Sequence, residues 1–324
     1  MWKTTLKLAT AVSLAAVALP AASLAQADYP NKPIHFIVPY PPGGTVDPTA
    51  RILGVVVSKV LGQPVVVDNK PGAAGSIGTE FALRQEPDGY NVLIHTNIVA
   101  SEACLKPNLS YKFLEQMTPV TALTETPFVI LTHPSIKANT VKELVDYIKK
   151  SPEKVRYGAS GVGSSGHLRG EQFRLETGVD LVFIPYKGGG ETLTGLVRND
   201  INIAIDTLPG SIAMVNDGRM KLLAVGGKRL PQVPNTPNME ESGYKPLASQ
   251  WIGAYVPAKT PPAVIAKLHD AFTKALADPS VKEQFAKIVF ETRGTGPQET
   301  LKNLKEETAM WCSTIKSAGI KIEE

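Results

Sequence analysis

The chain is poor in several features that mark large classes of protein. Its five histidines show neither i,i+4 pairing nor a neighbouring cysteine, so no zinc site is predicted. Lysine and arginine form no dense run, and the net charge of +4 is too mild to indicate nucleic-acid binding. No five-residue window matches the G-x-S-x-G motif of a hydrolase nucleophile elbow. We therefore expect no cofactor, no metal and no nucleic-acid partner.

The first 27 residues have the pattern of a cleaved export signal. Lys3 and Lys7 accompany a short apolar stretch at residues 8–19, and an Ala-Gln-Ala site follows at residues 25–27. The stretch is shorter than the about 20 residues that cross a bilayer, and no later window is a better candidate. No cysteine stands just after the cleavage site, which argues against a lipoprotein. We therefore expect a soluble protein in the periplasm, cleaved after residue 25 or 27.

The mature chain would keep roughly 300 residues, which is long for one hydrophobic core and fits two lobes. Its hydrophobic content of 43% and charged content of 20% are typical of a globular protein. The two cysteines, Cys104 and Cys312, both remain after cleavage. In an oxidising compartment an isolated pair is more often a disulfide than two free thiols. We therefore expect a bridge that brings the C-terminal helix back to the first lobe.

Strand-like and helix-like segments alternate along the chain, which predicts an α/β fold with mostly parallel sheets. Thr140 and Glu143 have the spacing of a capping box before one of the helices. The predicted strands are 34–38, 64–68, 91–95, 128–132, 154–157, 181–184, 201–205 and 222–225. The predicted helices are 47–61, 72–85, 141–150, 167–177, 192–199, 263–277 and 297–318.

Two glycine-rich segments occupy equivalent places in this alternation. Residues 36–45 and 155–166 each run from a strand through a turn rich in glycine to the start of a helix. Such a turn leaves backbone N–H groups at a helix N-terminus, where the macrodipole favours an anion. The two turns, one in each lobe, would face each other across a cleft at the carboxyl ends of the strands. The pattern therefore indicates an anionic ligand held from both sides.

Other interpretations of the glycine-rich segments were considered. Residues 161–166 match G-x-G-x-x-G, but a dinucleotide site also needs an acidic residue after the next strand, where residues 185–187 are Pro-Tyr-Lys. The same glycines are also compatible with a turn that only requires their backbone freedom. Residues 187–190 would either contact a ligand or simply connect a strand to a helix. The small residues at 72–78 indicate a helix packed tightly on its sheet.

A secreted hydrolase is an alternative function. Ser160, Ser164, Ser165 and His167 lie close together in sequence, and Asp206 is a candidate for the orienting acid. A catalytic triad is a spatial arrangement, so the sequence leaves this alternative open. It predicts ester hydrolysis by Ser164 or Ser165 with His167, lost when the serine is replaced by alanine.

Eight short segments form a combination that is more specific than any one of them. They are Tyr29–Pro33, Val38–Asp47 with Arg51, Leu61–Val67, Asn69–Ala73 with Gly75, Pro87–Tyr90, Gly163–Leu168, Pro185–Gly190 and the Asp217-Gly218 turn. The combination resembles the Bug/TctC family, the periplasmic receptors of tripartite tricarboxylate transporters. The resemblance covers essentially the whole mature chain.

The resemblance implies a type II periplasmic-binding-protein fold with two chain crossings and a ligand cleft. One lobe would contain residues 28–126 and 251–324, including both cysteines, and the other lobe residues 127–250. Closure of a monomer on a small carboxylate would present a surface to the permease subunits in the membrane. A loaded receptor that docks on a membrane sensor would share the fold and the ligand.

Family members bind carboxylates largely through backbone amides and ordered water. Tyr40 stands where many members have phenylalanine, and Arg169 is a second departure whose charge would either reach a distal carboxylate or be solvated. The ligand-binding residues that the resemblance implies are Tyr40, Pro41, Pro42, Gly43, Gly44, Thr45, Asp47, Thr96, Asn97, Ser160, Gly163, Ser164, Ser165, His167, Arg169, Tyr186, Lys187, Gly188 and Asp206.

Overall fold

The structure is a computed structural model that describes residues 29–106 and 108–321. The predicted export signal lies outside the described residues. Within them, the strands form two sheets, one of six strands and one of five. The strands are β1 (Ile34–Val38), β2 (Val65–Asn69), β3 (Asn91–Thr96), β4 (Met117–Thr126), β5 (Phe128–Thr132), β6 (Val155–Ala159), β7 (Leu181–Pro185), β8 (Ile203–Thr207), β9 (Lys221–Val225), β10 (Gln250–Pro257) and β11 (Glu291–Thr295).

Helices connect most of these strands and cover the sheets. In the described part of the chain, no helix is both long and apolar enough to cross a membrane. A short 3-10 helix (Ala73–Gly75) precedes the second α-helix. The α-helices are α1 (Val46–Leu61), α2 (Ser76–Leu83), α3 (Val99–Leu105), α4 (Phe113–Gln116), α5 (Val141–Lys150), α6 (Ser165–Thr177), α7 (Gly189–Val197), α8 (Leu208–Asn216), α9 (Pro262–Ala277), α10 (Pro279–Lys287) and α11 (Pro297–Ala318).

The two sheets divide the described chain into two halves. We call the six-stranded sheet with α1–α4 and α9–α11 the first half, and the five-stranded sheet with α5–α8 the second half. The chain leaves the first half at Pro127, between β4 and β5, and returns to it just before β10. α11 lies against both halves, because it packs on α3 and β4 and also touches α6.

The α/β class is confirmed, and most strands of each sheet run in one direction, although both sheets are mixed. In the first half β2, β1 and β3 are parallel, while β10, β4 and β11 run antiparallel to their neighbours. In the second half β7, β6 and β8 are parallel, and β5 and β9 are antiparallel to their neighbours. Strands buried on both faces form continuous apolar runs, so an apolar pattern does not reveal their direction.

Each half has its own apolar core. In the first half, Leu53 of α1 and Phe272 of α9 are fully buried with Phe36 of β1, and the two phenylalanine rings stack at 5.4 Å. In the second half, Tyr157 of β6 and Phe173 of α6 belong to one fully buried cluster. Each such side chain stabilises the fold by about 1.5–3 kcal/mol on burial. These two clusters share no residue, so a cleft can form between them.

The segment predicted as one helix over residues 72–85 has two parts. Gly72 and Gly75 have φ angles of +135° and +102°, which a continuous α-helix does not allow, so α2 begins only at Ser76. A Cβ atom on Gly78 would lie 2.6 Å from the Pro39 side chain. The close approach confirms that small residues here let the helix pack tightly beside β1.

The predicted disulfide is present. It joins Cys104 of α3 to Cys312 of α11, with a Cα–Cα separation of 5.4 Å. The bridge attaches the C-terminal helix to the first half across 208 positions of sequence. Half of the predicted capping box is present, because Thr140 Oγ1 accepts the Glu143 N–H at 3.1 Å. The Glu143 carboxylate accepts the N–H of Asn139, one residue before the N-cap, instead of that of Thr140.

Candidate functional site

A cavity of about 370 Å³ lies between the two halves. Its volume is within the range of small-molecule sites. The first half contributes Tyr40, Thr45, Val46, Thr96, Ile98, Glu102, Leu105, Lys106 and Gln250. The second half contributes Phe128, Ala159, Ser160, Val162, Gly163, Ser164, Ser165, Gly166, Gly189, Ile205, Asp206 and Thr207.

Four helices of both halves begin at this cavity. Val46 opens α1, Ser165 opens α6, Gly189 opens α7, and Thr207 immediately precedes α8. The N–H groups of a first helical turn have no partner inside their own helix. Each N-terminus carries the equivalent of about half a positive charge, so the four together favour a negatively charged group in the cavity.

The first glycine-rich turn is held in shape by Asp47. The carboxylate of Asp47 accepts hydrogen bonds from the Gly43 N–H, from Arg51 Nε and from Asn69 Nδ2, each at 3.0 Å. Burial would raise the pKa of Asp47, but these hydrogen bonds outweigh it and hold the pKa below its ordinary value. Asp47 therefore braces the turn and is not part of the cavity wall.

Tyr40 and Thr96 present hydroxyl groups on the first-half wall of the cavity. Their oxygens are 3.2 Å apart, and the Tyr40 ring meets His95 edge-on with centroids 5.3 Å apart. Burial raises the pKa of Tyr40 well above its ordinary value, so the phenol stays protonated. Thr96 is the last residue of β3, which explains why its side chain lies at the sheet edge that faces the cleft.

The second glycine-rich turn forms the opposite wall. Gly161 and Gly163 have φ angles of +95° and +76°, a left-handed conformation that favours glycine. The Ser164 N–H donates to the Gly161 carbonyl at 3.2 Å, and Ser164 Oγ caps α6 by accepting the His167 N–H at 3.3 Å. This turn brings Ser160 and the first turn of α6 to the cavity.

His167 is not placed to act as a catalytic base. Its Nδ1 accepts the Gly163 N–H at 2.9 Å, and its ring stacks on Phe183 at 3.9 Å. Burial lowers the pKa of His167, so the ring is neutral. The side chain supports the turn from behind, outside the cavity lining. The geometry therefore does not support the hydrolase alternative.

Asp206 brings a carboxyl group to the second-half wall, at the end of β8. Its Oδ1 accepts the Thr207 N–H at 2.7 Å. Its Oδ2 lies at the start of α7, where a Cβ atom on Gly189 would approach it to 3.1 Å. Burial raises the pKa of Asp206 from 3.8 to about 6, ahead of the opposing hydrogen bonds from Thr207.

We expect Asp206→Asn to stabilise the ligand-free protein above pH 6. The folded state holds the Asp206 proton more tightly than the unfolded state, so the free energy of unfolding falls as pH rises from about 4 to about 6. The variant removes this cost of ionisation, which we set at about 1–2 kcal/mol because the cavity is open to solvent. Urea unfolding of the wild type and the variant at pH 7.5 and pH 4 would measure the gain in stability.

At pH 4 the free energy of unfolding of Asp206→Asn should be nearly equal to that of the wild type. Asp217→Asn is the matched control, since Asp217 is exposed at the other end of α8. An equal stability of wild type and Asp206→Asn at pH 7.5 would show that burial does not raise this pKa.

Two residues predicted to contact the ligand, Asn97 and Arg169, are buried beside the chain crossings and do not line the cavity. Asn97 donates to the Ser249 carbonyl at 3.1 Å and to Glu307 at 2.8 Å. The Arg169 guanidinium donates to the carbonyls of Ala248, Ser249 and Ser165 at 2.6–3.1 Å. Arg169 is 1% exposed, so it is not solvated, and its donors are directed to carbonyls and not to the cavity.

The remaining predicted contacts lie outside the cavity lining. The Tyr186 ring packs inside the second half, where a Cβ atom on Gly195 would meet its hydroxyl at 2.3 Å. Lys187 is exposed, and its N–H donates to Glu191. Gly188 precedes α7 and also lies outside the lining. So do four exposed residues of the first glycine-rich turn: Pro41, Pro42, Gly43 and Gly44.

The site also contains charged and polar residues that the sequence patterns did not indicate. Glu102 of α3 and Lys106, the residue that follows α3, reach the cavity from a helix that carries no glycine-rich motif. Gln250 reaches it from the start of β10, where the chain returns to the first half. No local pattern marks these residues, because they join the site only through the packing of α3 and β10.

Two mixed α/β halves joined by two crossings, with a cavity between them, define the fold of the periplasmic binding proteins. Residues 49–320 match the family model described as "Tripartite tricarboxylate transporter family receptor". The chain belongs to this family, and the Bug/TctC resemblance and the type II periplasmic-binding-protein fold are confirmed.

Relatives of known sequence or structure match over nearly the whole length. Protein BugT of Bordetella pertussis is 33% identical over 307 residues, 94% of either chain. The periplasmic binding protein BugD superposes with a TM-score of 0.77 at 31% identity, over 91% of this chain and 100% of that chain. The R. palustris protein Rpa4515, solved with adipate, gives a TM-score of 0.80 at 30% identity, over 91% and 99%. BugD is a periplasmic binding protein, and the family to which this chain belongs is one of transporter receptors and not of enzymes.

Proposed function

We propose that this chain is a periplasmic receptor that binds a small carboxylate between its halves and delivers it to the permease of a tripartite transporter. The observation that carries the proposal is the convergence of the first turns of α1, α6, α7 and α8 on one cavity. Two of these helices belong to glycine-rich turns in opposite halves. Their combined positive potential and free N–H groups suit a carboxylate.

The family relatives support the same ligand class. Rpa4515 was solved with adipate, a small dicarboxylate, and resembles this chain over nearly its full length. The hydroxyl groups of Tyr40, Thr45, Ser160 and Ser165 line the cavity and would hydrogen-bond to carboxylate oxygens directly or through water. The affinity would therefore come from hydrogen bonds and helix N-termini on both walls.

We further propose that residues 28–126 with 251–324 and residues 127–250 act as two moving lobes. The two crossings, at Pro127 and before Gln250, are the positions at which the chain would bend. A ligand that contacts both walls binds the closed form better than the open form and so shifts the population towards closure. The closed form would present the docking surface to the permease, after export directed by residues 1–27.

A thermal-shift screen tests carboxylate binding. The mature protein is heated with a panel of mono-, di- and tricarboxylates at pH 7.5, and the melting temperature is compared with that of the ligand-free protein. A ligand at a hundredfold excess over its Kd adds about 2.7 kcal/mol to the stability, so at least one compound should raise the melting temperature by several degrees. If no carboxylate changes the melting temperature, the proposed function is wrong.

Ser165→Asp is the variant that locates the binding site. An aspartate in the first turn of α6 would keep that helix stable, yet its carboxylate would occupy the position proposed for the ligand. The response to the active carboxylate should therefore disappear. Ala263→Asp is the matched control, because Ala263 is exposed in the first turn of α9, away from the cavity. A ligand response retained in Ser165→Asp would place the carboxylate elsewhere.

A further inference from the structure

The cavity contains carboxyl groups of its own, which a site built only for anions would not need. Three ionisable side chains besides Tyr40 line it: Glu102 and Lys106 from the first half, and Asp206 from the second half. With all three ionised, the wall carries two negative charges and one positive charge. The helix N-termini attract a carboxylate, whereas Glu102 and Asp206 oppose a second one nearby.

The protein itself compensates the negative charge of Asp206. Its carboxyl group accepts the Thr207 N–H, in front of α8, and lies at the start of α7. A carboxylate at a helix N-terminus is stabilised by the macrodipole. Asp206 therefore uses part of the positive potential of the second half itself.

The negative charge of Glu102 is not compensated by a helix N-terminus in the same way. It is 4% exposed, and its Oε2 accepts a hydrogen bond from the neutral Tyr111 hydroxyl at 2.9 Å. Lys106, one turn later, directs its ammonium to the Ala73 carbonyl at 3.2 Å and the Ser76 hydroxyl at 2.9 Å. Burial raises the pKa of Glu102 despite the Tyr111 hydrogen bond and the attraction of Lys106. A cation arriving in the cavity would favour the ionised form of this carboxyl group.

The position of Glu102 is firmly defined. α3 carries Cys104 between Glu102 and Lys106, and the disulfide to Cys312 attaches this helix to α11. The Tyr111 hydroxyl orients the carboxyl group from the other side. A buried carboxyl group on a fixed element, lining a ligand cavity, is arranged to accept hydrogen bonds from the ligand.

We infer that the ligand is an aminocarboxylate zwitterion, whose ammonium group donates to Glu102 and whose carboxylate lies at the first turn of α6. This inference rests on the proposed function and narrows its ligand class. A dicarboxylate would place its second carboxylate in a cavity that already holds two carboxyl groups. A zwitterion adds no net charge and gives each of its groups a partner of opposite sign.

Isothermal titration of the mature wild-type protein tests the inference. For each chain length of four to six carbons, the linear diacid, the ω-amino acid and the α-amino acid are compared at pH 7.5. At least one amino acid should bind about tenfold or more tightly than the diacid of the same length, since a charge-assisted hydrogen bond replaces a repulsion. This comparison needs no variant and so does not depend on how a substitution folds.

Glu102→Gln then assigns the preference to one residue. Glutamine keeps an acceptor for the Tyr111 hydroxyl but removes the charge, so affinity for the amino acid should fall about 10- to 100-fold while diacid affinity is not reduced. Glu115→Gln is the matched control, because it removes an exposed carboxylate of α4 in the same half. Its affinities should equal those of the wild type.

The possible failures are distinguishable. If diacids bind and amino acids do not, or if Glu102→Gln binds the amino acid as tightly as the wild type, the zwitterion inference is overturned and the carboxylate receptor stands. If neither class binds in titration, the zwitterion inference fails. The proposed function fails as well only if no carboxylate of the thermal-shift panel raises the melting temperature.

Discussion

Arg169→Met is expected to lower the free energy of unfolding by about 2–3 kcal/mol, because the Ala248 carbonyl loses its donor and the Ser249 and Ser165 carbonyls each lose one of theirs. Arg169 projects from α6 of the second half and donates to Ala248 and Ser249, in the segment that returns to the first half. Its guanidinium also lies 4.2 Å from the Phe128 ring centroid, just after the other crossing. One side chain thus connects both crossings.

The size of the effect follows from opposing terms. Burial lowers the pKa of Arg169 to about 9, ahead of the attraction of Glu307, which shows that the buried cation carries a desolvation cost. Methionine removes that cost and keeps most of the packing against Phe128 and Trp311. Loss of the guanidinium costs about 1–3 kcal/mol at the Ala248 carbonyl. It costs less at the Ser249 carbonyl, which keeps the Asn97 amide, and at the Ser165 carbonyl, which keeps its helical N–H donor. Together these losses outweigh the desolvation of the cation, so the net change is destabilising.

Urea unfolding of three variants measures the prediction. Arg169→Lys keeps the positive charge but offers a single ammonium in place of the planar guanidinium, so its loss should be intermediate. Arg198→Met is the matched control, because Arg198 is exposed at the end of α7, and its effect should stay within about 0.5 kcal/mol. If Arg169→Met unfolds at the same urea concentration as the wild type, the three hydrogen bonds do not contribute to stability.

Removal of the disulfide is expected to cost about 4–5 kcal/mol, the upper end of the range for native disulfides. The bridge between Cys104 and Cys312 closes a loop of 208 residues, and a long loop restricts the unfolded chain most in the chain-entropy model. The double variant Cys104→Ala/Cys312→Ala should therefore unfold at a lower urea concentration than the wild type. A reductant should lower the stability of the wild type and leave the double variant unchanged.

The same double variant should also bind its ligand less tightly. α3 presents Glu102 and Lys106 to the cavity, and the bridge fixes this short helix to α11. Without the bridge, part of the binding free energy would be needed to order α3. Titration before and after reduction of the wild type measures this effect. An affinity that does not change on reduction would show that packing alone holds α3 in place.

The elements with local signals could be predicted from the sequence. α5 begins where Thr140 caps the Glu143 N–H, and Gly178 ends α6 in a left-handed conformation. β4 and β10 were missed, although both lie at the centre of the first sheet. Threonines and Pro119 interrupt the apolar pattern of β4. β10 follows a long irregular segment, and its place between β3 and β4 depends on partners far away in sequence.

The residues of the candidate site also divide into those that a local pattern indicates and those that only the packing places. Ser160 and Ser164 lie on a turn whose glycines are visible in the sequence, and both line the cavity. Tyr186 follows the next strand in the same half, but its ring turns inward to fill the space beside Gly158 and Gly195. A strand end predicts that a residue is near the cleft, yet the direction of its side chain depends on which space the neighbouring elements leave.

The amino-acid sequence by itself determined the α/β class, the two glycine-rich helix starts and the family, because turns, caps and periodicity act between residues close in the chain. The tertiary structure alone decided which charges reach the cavity. Glu102 lies on a helix without a motif, and Lys106 follows it directly. Arg169 donates to the carbonyls of the segment that returns to the first half, and not to the cavity. These placements depend on the packing of distant segments, which no local pattern records.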